Sequence, residues 1–166
     1  MNPEPARYSV AHREPLCEFV VRGPVPRVVS LFFNAVQSLS GTPGLALVQL
    51  TEPPREWVTG AVSKPALLRG LLEIRDLLGT RHLDAAVFSP SEALELHLDR
   101  LATLEGRAGD WQEASWAEMF QRAGFERVEQ LAPLPEDAAS KAPSAADPEA
   151  RIARVVKELG LLPPAD

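Results

Sequence analysis

The chain alternates between short runs rich in β formers and longer stretches with helical spacing. Residues 16–22, Leu-Cys-Glu-Phe-Val-Val-Arg, predict a first strand that Gly23 and Pro24 stop. Val28, Val29, Phe32, Phe33, Val36 and Leu39 then recur at spacings of one, three and four, a wide apolar stripe on a helix over 26–39. Pro26 suits its first turn, where the missing N–H has no intrahelical partner anyway. Residues 45–50 are almost wholly apolar and predict a second strand covered on both faces. If the two strands run parallel, the unit is a right-handed crossover. Residues 51–62 carry Pro53, Pro54 and Trp57 and read as a loop. Ser63 is placed to cap a helix with Pro65 in its first turn, Leu67, Leu68, Leu71, Leu72, Ile74, Leu77 and Leu78 on its buried face, and Gly79 beyond its end. Residues 83–89 form a third strand.

Two patterns compete over 90–107. Ser89-Pro90-Ser91-Glu92 matches a capping box, and Leu94, Leu98 and Leu101 share a helix face. Against this, Leu94, Leu96 and Leu98 alternate strictly with Glu95, His97 and Asp99, the period of a half-exposed strand. The alternation favours two antiparallel strands joined near Asp99-Arg100. A helix follows from Asp110 to about Ala123, with Trp116, Met119, Phe120 and Ala123 on one face and Gly124 as its stop, then a short strand within 125–131.

The expected fold is therefore α+β, a mixed sheet of about five strands with three helices. Four segments are expected: a flexible start over 1–15, one globular unit over 16–131, a Pro/Ala-rich linker over 132–147, and a C-terminal amphipathic helix and tail over 148–166. Asp147-Pro148 opens that last helix, and Ile152, Val155, Val156 and Leu159 make its narrow apolar stripe. An isolated stripe of this kind must be buried, either on its own domain or in a partner's groove.

Composition and charge narrow the function classes. The net charge is −6, but residues 84–118 alone hold two arginines against eight acids. No basic face is available to neutralise phosphates, which argues against nucleic-acid binding, and an acidic region favours a basic protein partner. No apolar run reaches the roughly 18 residues of a membrane helix. The first 15 residues lack an apolar core, so no secretory signal is expected, and the expected compartment is cytoplasmic.

Groups fit for covalent chemistry are sparse. His12, His82 and His97 are far apart, and Cys17 stands alone, so neither metal-ligand spacing nor a disulfide is present in the sequence. Gly41-Thr42-Pro43-Gly44 lies between a helix and a strand, the wrong order for a phosphate loop. No cofactor or metal is expected. The leading expectation is a non-catalytic module that binds a protein partner: an adaptor, a chaperone or an immunity-type neutraliser. Its expected contacts are Trp57, the acids Glu92, Glu95, Asp99 and Glu105, and the stripe Ile152, Val155, Val156 and Leu159. Two alternatives stand beside it. One is a small enzyme using Glu95, His97 and Asp99, or Cys17, in a cleft. The other is a self-associating homo-oligomeric subunit that exchanges its terminal helix.

Overall fold

A computed structural model describes residues 5–51, 53–132, 134 and 147–164. In chain order the elements are β1 (Arg7–Arg13), β2 (Leu16–Arg22), α1 (Val25–Ser38), β3 (Gly44–Gln49), β4 (Arg55–Thr59), α2 (Lys64–Glu73), β5 (Leu83–Ser89), β6 (Leu94–Leu98), β7 (Leu104–Gly109), α3 (Glu113–Arg122), β8 (Glu126–Arg127) and α4 (Pro148–Leu159). The sheet has eight strands in the order β4-β3-β5-β6-β7-β2-β1-β8, which corrects the expected five. All neighbours pair antiparallel except β1 with β8.

Two of the additional strands come from segments that read as irregular. Arg7–Arg13, placed in the flexible start, pairs along its whole length with β2. Its polar composition hides it, because only Tyr8 is fully buried. Arg55–Thr59, read as loop, forms an edge strand on β3 just beyond Pro53 and Pro54. An edge position leaves one side of the backbone unpaired, so nearby prolines are tolerated there. The ambiguous stretch is a hairpin, with Glu95 opposite Arg107 and His97 opposite Glu105. Strands β2 and β3 do run parallel to each other, but β7, β6 and β5 separate them.

Among the described residues, helices cover only one face of this sheet. Cys17, Phe19 and Val21 of β2, Leu45 and Leu47 of β3, Leu83, Ala85 and Val87 of β5, and Leu94, Leu96 and Leu98 of β6 are at most 2% exposed. They form one core with Val28, Leu31, Phe32, Val36, Leu67, Leu71, Trp116 and Phe120 from the helices. Phe19 lies 5.5 Å from Trp116 and 5.1 Å from Phe120, fastening α3 over β2 and β7. The alternate residues face away from the helices. Ala46 and Val48 are among them and only half-buried, so β3 is not covered on both sides as its apolar run suggested. Its small side chains leave that face nearly flat.

The caps are legible in the sequence. The Ser63 hydroxyl accepts from Ala66 N–H, and the Asp147 carboxylate accepts from Ala150 N–H, each holding a first-turn amide. Helix α4 packs on α2 of its own chain. Gly70 allows the close approach, since a Cβ there would lie 2.8 Å from Leu159 Cδ1. The Arg151 guanidinium pairs with the Asp76 carboxylate and donates to Glu73 O at 2.5 Å. Beyond α4, Leu162 exchanges both backbone hydrogen bonds with Val58, occupying the free edge of β4. The segment read as a linker, 132–147, lies outside the described residues except for Ala132, Leu134 and Asp147. No described helix is long and apolar enough to cross a membrane.

Candidate functional site: the uncovered face of the sheet

The site is built by strand alternation. With Leu94, Leu96 and Leu98 buried, Glu95 and His97 must point to the other face. With Leu104, Gly106 and Ala108 buried, Glu105 and Arg107 do the same. Glu18 and Val20 join them from β2, which pairs in register with β7. Together these six side chains rim a shallow, open depression of about 410 Å³ at the middle of the sheet.

The charges in this patch are unequally matched. Glu18 is held between Arg13 Nε at 3.4 Å and Arg107 Nε at 3.2 Å. Glu95 and Glu105 are exposed and have no ion-pair partner among the described residues. His97 is half-buried between them, opposite Glu105. On the neighbouring β5, burial pushes the Asp84 carboxyl above its usual range, opposed by the charge of His97 and by the Arg100 N–H, which donates to Asp84 Oδ1 at 2.7 Å.

Aromatic surface lies on the same face. Gly109 continues the outward-facing series Glu105, Arg107, and the Trp111 ring rests on it: a Cβ at Gly109 would sit 2.2 Å from ring carbon Cη2. Trp111 remains 70% exposed. The half-buried Phe88 ring lies over Gly44 of the adjacent strand in the same manner. Absence of a side chain at each glycine lets an aromatic ring lie flat against the backbone. Trp111 did not figure among the sequence candidates. The signal available was a glycine at the end of a strand two residues before a tryptophan, and only the register shows which face that glycine occupies.

The structure places the expected contact residues in five different roles. Glu95 and Glu105 come together on the open face. Asp99 does not join them; its Oδ1 accepts from Leu101 N–H and Thr103 N–H and closes the β6–β7 turn. Glu92 accepts from the Ser40 hydroxyl at 3.0 Å and the Ser89 hydroxyl at 2.9 Å, joining the end of β5 to the segment after α1. Trp57 sits on β4 opposite Leu47, half-buried against the core and not on a free loop. Ile152 and Val155 are 1% and 0% exposed, and Val156 and Leu159 are packed against the core with them. The stripe is therefore covered by its own chain, through α2, and is not presented to a partner.

The catalytic candidates are placed as follows. The trio Glu95, His97 and Asp99 lacks its third member, which is bound to turn amides. Cys17 lies opposite His12 in the β1–β2 register, yet the thiol is 1% exposed and donates to Gly109 O at 3.8 Å. Burial raises its pKa, and the charge of Glu113 raises it further. His12 turns instead to Glu113, at 3.2 Å. A nucleophilic thiolate needs the opposite environment, exposed and electropositive. Among the described residues, no three His, Cys, Asp or Glu side chains converge as metal ligands.

No protein-family model matches the chain, and neither a curated protein nor a solved structure matches it.

Proposed function

We propose that the chain is a non-catalytic protein-binding module of the adaptor, chaperone or immunity type, and that the open face of its sheet is the docking surface. The observation that carries this reading is the combination on one face of an exposed tryptophan with two exposed carboxylates that have no ion-pair partner among the described residues. A large exposed aromatic supplies contact area at little cost in side-chain entropy, and tryptophan is enriched among residues that dominate binding energy. Exposed Glu95 and Glu105 favour a partner that presents lysine or arginine, chiefly by speeding encounter and rejecting acidic competitors. The apolar surface of Ala46, Val48, Ala86 and Phe88 on β3 and β5, with Val20 on the far side of the charged patch, provides the remaining contact.

Affinity purification of the tagged full chain from its host tests the proposal. A stoichiometric partner is expected with the native sequence and with an Arg154→Ala control on exposed α4 surface. It is expected to be lost with Trp111→Ala and with the pair Glu95→Lys, Glu105→Lys. Recovery of no partner, or equal recovery with all of these variants, overturns the proposal.

A further inference from the structure

We infer that Arg7 and Arg22, at the end of the open face where β1 meets β2, form an oxyanion-binding site for a carboxylate or phosphate group. The two residues stand directly opposite each other in the β1–β2 register. Their neighbours Tyr8 and Val21 are fully buried on the helix side, so both arginines face away from the core. Like charges directly opposite on paired strands are unfavourable, and here they are also withdrawn from water. Arg22 is 9% exposed. Its Nε donates to Thr103 Oγ1 at 3.3 Å and its Nη1 to the Ala132 carbonyl, both neutral acceptors. Arg7 is half-buried, and its Nε is shielded from solvent without a hydrogen-bond partner among the described residues.

The other arginines of the chain show what is unusual here. Arg13, Arg107, Arg122, Arg127 and Arg151 each have a carboxylate within ion-pair distance, and Arg27 and Arg75, without one among the described residues, are not buried as Arg22 is. Among the described residues neither Arg7 nor Arg22 has such a carboxylate. Glu126 is opposite Arg7 on β8 but stays exposed and forms no ion pair with it. The Asp99 carboxylate, which accepts from Thr103 N–H and Leu101 N–H, forms no ion pair with Arg22 among the described residues. A guanidinium cannot relieve such a position by losing its proton, because its pKa lies far above neutrality. A buried charge without a counter-charge is costly. Solvent reaches the half-buried Arg7 only in part, and an anion would supply the missing counter-charge. Guanidinium forks match groups that carry two or more oxygens on one centre, which selects carboxylate or phosphate over chloride.

Thermal unfolding of the full chain in inorganic phosphate, in acetate and in chloride at matched ionic strength tests the site. Phosphate at ten times its Kd is expected to raise Tm by about 3–6 °C over chloride. A comparable rise in acetate assigns the site to oxyanions in general, including a partner's carboxylate; a rise in phosphate alone assigns it to phosphate. Arg7→Gln, at a half-buried position and folded by circular dichroism, is expected to abolish the difference, while Arg13→Gln leaves it intact. Two results overturn the inference. One is the same Tm in all three salts, or the same phosphate response in Arg7→Gln as in the native chain. The other is a salt-independent loss of stability shared by Arg7→Gln and Glu126→Gln and not increased in the double variant, which would make Glu126 the counter-ion.

Discussion

Replacing Gly106 by alanine tests the register on which the open face depends. Gly106 lies opposite Phe19 at the centre of the sheet, and an added Cβ would come within 2.2 Å of Phe19 Cε2 and Cζ. Carbon atoms in contact prefer about 3.5–4.0 Å, so the ring must retreat by well over 1 Å. It has nowhere to go: Phe19 is 1% exposed and lies against Trp116 and Phe120. Overpacking of this kind costs about 1–3 kcal/mol, and a clash with a caged ring belongs at the upper end. For a chain of this size, 3 kcal/mol lowers Tm by about 6–12 °C. The assay is urea unfolding of Gly106→Ala, Phe19→Leu and the double variant, with Gly60→Ala as the control. A Cβ at Gly60 meets nothing within 4 Å, so that change should stay within about 0.5 kcal/mol. Leucine at position 19 relieves the clash, so the double variant should be more stable than the sum of the singles by about 1–2 kcal/mol. A neutral Gly106→Ala, or strict additivity, would refute the register. A slip of one residue would send Gly106 to the open face and carry Glu105 and Arg107 into the core.

Two further outcomes follow from the same geometry. The hydrogen bond from Arg151 lowers the Asp76 pKa, so this pair stabilises α4 docking above the ordinary carboxylate range and the contribution disappears as pH falls below about 4. Amide protection in residues 150–159, measured relative to the intrinsic rate at each pH, should therefore fall in acid ahead of protection in β5 and β6, and Asp76→Asn should show the same reduced protection at neutral pH; an equal change in both regions would contradict it. Buried and raised in pKa, the Cys17 thiol should resist a thiol reagent in the native chain and react only at the rate of unfolding, measured by absorbance of the released chromophore; rapid native labelling would reopen thiol chemistry.

How much of this could be read from residues alone depended on burial. The β6–β7 hairpin was legible because three leucines alternate with charged residues on β6, and one face being wet leaves the period of two visible. Helices α1 and α2 announced themselves by wide apolar stripes, and α2 and α4 by the Ser63 and Asp147 caps. Strand β1 was not legible, since Arg-Tyr-Ser-Val-Ala-His-Arg places a single side chain fully in the core and draws its stability from pairing with β2. Strand β4 was hidden by Pro53 and Pro54 just before it. For the site, alternation located Glu95 and Glu105 on one face, but the separation of Asp99 from them rests on turn hydrogen bonds that have no periodic signature. The stripe on α4 was correctly apolar, and periodicity carries no information on what covers it. Gly70 on α2 decides that question, through an approach distance visible only in three dimensions.

The central claim is that partners meet the open face of the sheet. Carboxyl footprinting of the full chain, free and bound to the partner it recovers, reads that face directly. Glu95 and Glu105 should label readily in the free chain and become protected in the complex, while Glu149 and Glu158 on α4 label equally in both. Protection on α4 with Glu95 and Glu105 unchanged would contradict the account.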